Sequence, residues 1–215
     1  IAPLLLAVQA MELAWVALNL LGVEHTTTDP VVRSVADLHL AYMPYSHSVA
    51  TGLGAALAAW VLLELGPRRP LLGRAVATGI ASHLVLDLLT HAHDIVLWPG
   101  LPSPRLGLGL YDAAPLGAFA VEMAYGIACW RIYRGGRGLL ALVVLGNLAN
   151  LPLLSAAVPG PEAFLAGRPQ LVVTLVAAQI VVTLGLTAWL ARRPAGAAGP
   201  PRPLSAASPT AAAPT

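Results

Sequence analysis

Six apolar runs of membrane-spanning length divide this chain, at about Leu4–Val23, Ser48–Leu65, Leu71–Leu89, Leu116–Tyr133, Leu139–Val158 and Leu171–Ala191. A helix rising 1.5 Å per residue needs roughly 20 residues to cross the hydrocarbon core of a bilayer. Inside that core each backbone N–H and C=O must find a partner within the protein, so a spanning run becomes a helix or part of a closed barrel. A barrel would alternate apolar and polar residues, and these runs do not. The spacers carry ordinary punctuation, such as Gly66-Pro67, Pro99-Gly100, Gly135-Gly136 and Pro159-Gly160-Pro161. We therefore expect an all-α integral membrane protein, a bundle of about six transmembrane helices occupying residues 1–193. Residues 194–215 hold Ala, Pro, Gly, Ser and Thr without periodicity, and we expect a disordered tail there because nothing in it can offset the entropy of ordering.

Composition agrees. The chain is 57% hydrophobic and 10% charged, against about 25% charged in a typical soluble domain. The net charge of +2 comes from arginines scattered between apolar runs, which excludes a nucleic-acid-binding surface. One cysteine, Cys129, allows no internal disulfide. The first run begins almost at Ile1 and is too long and too polar for a cleaved signal peptide, so we expect a further segment upstream.

The arginines also set an expected orientation. Arg68, Arg69, Arg74, Arg131, Arg134, Arg137, Arg192, Arg193 and Arg202 follow the even runs; Arg33, Arg105 and Arg168 follow the odd ones. Nine against three, in step with the runs, follows the positive-inside pattern and turns loops one, three and five outward. Those loops carry Glu24, His25, Asp29, Asp37, His39, His47, His91, His93, Asp94 and Asp112. Polar chemistry gathers on the extracytoplasmic side.

Its sharpest local signal is His83-Leu-Val-Leu-Asp87-Leu-Leu-Thr-His91. Spacing of four lays these side chains along one helix stripe, with neighbouring Cβ atoms about 5–6 Å apart. Imidazole and carboxylate on one face suit a zinc-like ion. The bland alternative is a hydrogen-bonded pair within a bundle, but an ionisable group inside a membrane costs about 2.5–3.5 kcal/mol on insertion scales and is usually retained for function. Glu12 in the first run, Glu122 in the fourth and His47 at the start of the second, with Ser46 as an expected N-cap, supply one group each. Four helices then converge as in carboxylate bundles that bind metal. His25 and His39 read as solvated loop residues. Arg105, beside Gly107 and Gly109, can anchor at the interface or hold an anionic substrate group. No P-loop, G-x-S-x-G, H-E-x-x-H or C-x-x-C-H motif occurs.

The segments Tyr45-Ser-His-Ser48, Ser82-His-Leu-Val-Leu-Asp87 through Thr90-His91, and Leu110-Tyr-Asp112 leading to Glu122 resemble bacterial inner-membrane metal-dependent hydrolases, including the LexA-binding, membrane-associated type. Ala10-Met-Glu12 through Glu24-His25 is similar to that group's opening helix, and the likeness covers roughly the first 135 residues. The group is distantly similar to zinc-dependent phospholipase C-like bundles. The resemblance implies His47, His83 and Asp87 as metal-site residues, with His91 as a further candidate; relatives carry Asp at the position of Glu12 and a histidine upstream.

The expected function is metal-assisted hydrolysis of an amphiphilic substrate, such as a phosphoester lipid, at the outer interface of the inner membrane. His47, His83, Asp87 and His91 are the candidate metal ligands. Glu122 or Glu12 serves as general base or fourth ligand. Three rivals use the same residues or loops: an ion-coupled transporter with a His/Asp/Glu relay, a haem protein with axial His47 and His83, and a non-catalytic assembly protein. The bilayer is the one partner expected throughout, with no nucleic acid.

Overall fold

The computed structural model describes residues 2–100, 102–154 and 164–191. Helices dominate it. The first apolar run bends at Gln9 into α1 (Ala2–Val8) and α2 (Ala10–Leu20); β1 (His25–Thr28) and β2 (Leu38–Tyr42) follow, and then α3 (Val49–Leu65) and α4 (Pro70–Thr90) form a hairpin. Next come β3 (Ile95–Val96), β4 (Arg105–Leu106), the short α5 (Leu110–Ala113), α6 (Pro115–Tyr133), α7 (Arg137–Leu154) and α8 (Pro169–Ala191). The arginines at 192, 193 and 202 and the whole 194–215 tail lie outside the described residues.

Three helices, α4, α7 and α8, are long and apolar enough to cross a membrane. Their side chains face outward in a way water would not tolerate: Val181 and Val182 on α8 are 67% and 58% exposed, and Leu145 on α7 is 63% exposed. α2 and α3 are apolar but shorter, and α6 carries Glu122 and Arg131. Loops one and three depart from the all-helical expectation. Each folds back as a two-stranded antiparallel sheet, β1 with β2 and β3 with β4, which satisfies backbone groups that an open loop would leave bare.

Close helix packing brings the polar residues together. Gly52 on α3 leaves room for Leu84 of α4; a Cβ at position 52 would stand 3.1 Å from Leu84 Cδ2. The end of α4 is capped by chain returning from loop three: Leu108 N–H donates to Leu88 O at 2.9 Å and Gly109 N–H to His91 O at 2.6 Å. Gly107, with φ of +133°, is required there, because a Cβ would lie 1.9 Å from Ala92 O. A buried core of Trp15, Val16, Met43, Ile95, Val173 and Ile180 ties α2, loops one and three, and α8 together at this end. Loop five reaches the same place, where Gly167 N–H donates to Thr28 Oγ1 at 2.8 Å. At the opposite end Tyr133 Oη, closing α6, meets Ala191 O, closing α8.

Candidate metal centre

Three elements deliver the site. Glu12 lies in the first turn of α2, just past the bend at Gln9. His47 ends the turn before α3. His83 and Asp87 share one stripe of α4, as their spacing of four requires. Ser48, not Ser46, caps α3, its Oγ accepting from Thr51 N–H at 3.1 Å. That frees Ser46 for another task.

The four side chains face one another without forming good hydrogen bonds. His47 Nε2 lies 3.4 Å from Glu12 Oε1 and 3.9 Å from Asp87 Oδ2. His83 Nε2 lies 3.6 Å from Glu12 Oε1 and 3.5 Å from Asp87 Oδ1. Glu12, His47 and His83 each offer one ligand atom within 4.8 Å of the others, and Asp87 reaches the two histidines through different oxygens. Tetrahedral zinc with bonds of about 2.0–2.1 Å has ligand atoms about 3.3–3.4 Å apart. The observed separations are of that size and too long for strong ion pairs. Four buried polar side-chain atoms lack a hydrogen-bond partner among the described residues; His83 Nε2 and Asp87 Oδ2 are two of them, and both belong to this cluster. Buried polar atoms are seldom left so, and an ion between them would satisfy both.

Behind His47 stands a network that sets its tautomer. Glu24, 1% exposed, accepts from Tyr45 N–H at 2.8 Å, from Ser46 N–H at 2.9 Å, and from Ser46 Oγ–H at 2.5 Å. A hydroxyl has one proton, and Ser46 gives it to Glu24. Ser46 Oγ therefore accepts from His47 Nδ1–H, 2.9 Å away. In the neutral ring Nε2 then bears the lone pair, aimed at two carboxylates. That arrangement repels unless a cation or a second proton lies between, and it is the orientation that a metal-bound histidine receives from its supporting partners. Glu24 has no assigned role in the sequence reading. The signal was a loop carboxylate beside His25, with nothing local to link it to Ser46, 22 residues on.

The other expected site residues go elsewhere. His91 closes α4 outside the four-residue cluster. Its Nδ1 lies 3.7 Å from Asp94 Oδ1, its ring centre is 6.0 Å from that of His47, and Tyr111 meets its ring edge-on. Burial pulls its pKa down, but the Asp94 and Asp87 carboxylates outweigh burial and the net shift is upward. Glu122 accepts from Tyr111 Oη–H at 2.6 Å instead of joining the cluster. Burial first, then the charge of Glu122, pushes the Tyr111 phenol well up, so Tyr111 stays a donor. His39 bonds Asp29 at 2.9 Å on the surface, and His25 lies against Tyr42.

No family model, curated protein or solved structure matches this chain. What stands on its own residues is a mostly helical protein with three helices long and apolar enough to span a membrane, and a Glu12, His47 and His83 cluster that can hold a metal ion.

Proposed function

We propose that this chain is a six-span inner-membrane protein of the metal-dependent hydrolase type, acting on an amphiphilic, phosphoester-bearing substrate at the extracytoplasmic interface. One observation carries the reading. Two histidine nitrogens and two carboxylates, from three separate elements, face a common point at near-tetrahedral spacing, and two of those atoms are buried without a hydrogen-bond partner among the described residues. Two neutral imidazoles and two carboxylates balance a divalent cation in charge and suit zinc in donor type. When bound, such an ion polarises a phosphoryl or acyl oxygen and brings the pKa of water towards about 7. Glu12, His47, His83 and Asp87 hold it; Glu24, through Ser46, keeps Nε2 of His47 free to do so. His91, beside His47 and backed by Asp94, is placed to take a proton from water. Tyr111 keeps Glu122 turned away, which leaves Glu122 a supporting part.

The remaining three spans are supported by packing. Loops one, three and five assemble at the site end, while the ends of α6 and α8 meet at the other, as alternating crossings demand. The arginine distribution supports an outward-facing site.

The second proton that His47 could take at Nε2 favours one rival, a proton relay through Glu12, His47, His83 and Asp87. Elemental analysis of detergent-purified protein, with melting curves run with and without chelator, separates the two. We expect about one zinc-like ion per chain, lost in His83→Ala and Asp87→Asn, and a chelator-sensitive Tm. A metal-free wild type whose Tm ignores chelator would overturn the hydrolase reading in favour of the relay.

A further inference from the structure

Two cavities adjoin at Arg105. The larger, about 470 Å³, is an open groove floored by Val85, Leu88 and Leu89 of α4 and walled by Leu106 and Leu108. Its lining is apolar except for His93 and Arg105. The smaller, about 230 Å³, has a mixed polar and apolar lining; Arg105 belongs to it too, with Tyr42, Asp94 and Trp98. Neither is lined by the four clustered residues. Asp94, which lines the smaller cavity, connects it to them only through side chains: its Oδ1 is 3.7 Å from His91 Nδ1, and the His91 ring centre is 6.0 Å from that of His47.

Three features specify the occupant. The groove runs along the outer face of α4, where Val85 is 55% exposed, so a chain sliding in from the bilayer meets apolar surface without crossing water. From Leu89 back to Val85 that face covers about 6 Å of helix rise, the length of several methylenes. Arg105, an exposed guanidinium, lines the groove and, like the other described arginines except Arg33, has no acidic partner among the described residues. Asp94 shares the smaller cavity with Arg105 but forms no ion pair with it among the described residues; its Oδ1 lies 3.7 Å from His91 Nδ1. An apolar slot ending in an unpaired, planar, five-donor cation matches an acyl chain ending in a phosphate.

We propose that Arg105 and the groove over Val85, Leu88 and Leu89 form a binding site for a membrane phospholipid, with its phosphate on the guanidinium and an acyl chain along α4. The site places the phosphate beside the smaller cavity, whose Asp94 lies against His91. Its identification as the substrate site rests on the hydrolase reading, whereas lipid binding itself does not.

The test uses the full chain in dodecyl maltoside, titrated with short-chain phosphatidic acid and with diacylglycerol of the same chains. Trp98 fluorescence supplies the signal. We expect phosphatidic acid to bind about tenfold more tightly than diacylglycerol, and Arg105→Gln to erase that difference while leaving diacylglycerol binding unchanged. Val85→Phe, which fills the groove from an exposed position without adding a fluorophore that competes with the signal, weakens both lipids and leaves Tm near wild type. Asp87→Asn loses metal but keeps the preference for phosphatidic acid, so a failure of the metal reading does not imitate a failure here. Equal binding of the two lipids, an unchanged preference in Arg105→Gln, or inorganic phosphate competing as strongly as phosphatidic acid would each overturn the proposal.

Discussion

The two halves of this molecule are held together by different means. Around the candidate metal cluster, α2, α3, α4 and the hairpin loops bury polar groups deeply: His47, Glu24, Ser46 and Ser48 are all 1% exposed or less. Every one is tied to a neighbour at fixed geometry. The α6–α7 hairpin is the opposite. Ala118 is the only buried residue of α6, and α7 buries Leu139 and Leu154 at its ends, while Ile132 and Leu145 stand open. One half is specified by hydrogen bonds that cannot be exchanged with water. The other depends on lipid to cover what the protein leaves bare. Substitutions should therefore be punished by unpaired polar atoms in the first half and by added polarity in the second.

The largest effect is expected at Glu24. Glu24→Ala strands two backbone N–H groups and the Ser46 hydroxyl, and should cost upwards of about 3 kcal/mol, since each buried unpaired group costs roughly 1–3. Glu24→Gln is the sharper probe. It still accepts from the backbone but can donate to Ser46, which lets His47 switch its proton to Nε2; we expect metal affinity to fall about 10–100-fold with a smaller loss of Tm. Equal metal content and Tm in Glu24→Gln and wild type would break the link between the buried network and the cluster.

Next comes polarity on the lipid-facing side. Val181→Asp sits midway along α8 on an open face. In bilayer it should cost about 2.5–3.5 kcal/mol of insertion, read as a loss of membrane-integrated protein in a glycosylation-mapping assay. In water the same exposed position would tolerate the change, so neutral behaviour would show that this face does not meet lipid.

Ser48→Ala removes the N-cap of α3 and should lower stability by about 1 kcal/mol, read as a drop in Tm in the same melting series. The smallest effect is expected for Leu145→Met on α7, within about 0.5 kcal/mol, because an exposed apolar side chain among lipids has no shape to match. A drop of a full kcal/mol there would mean that α6 and α7 pack against something as closely as α3 packs against α4.

The legible part of this protein was local. Long apolar runs name their solvent without reference to anything distant, which is why helices arise in each run and why α4, α7 and α8 are long enough to span. A helix has a fixed period, so His83 and Asp87 had to share a face. Tertiary structure alone decided what met that face. The bend at Gln9 turns Glu12 towards His47 and His83, 35 and 71 residues away. The hairpin of loop one returns Ser46 to Glu24 and gives the cap of α3 to Ser48. Tyr111 draws Glu122 off, and Asp94 lies beside His91, though both looked equal to the four clustered residues by type and depth. Residue type says what a side chain can bond, and spacing says where it points along one element. Which of several competent partners it meets depends on how helices cross and loops return, and that is settled by packing between segments whose distance along the chain carries no trace of their contact.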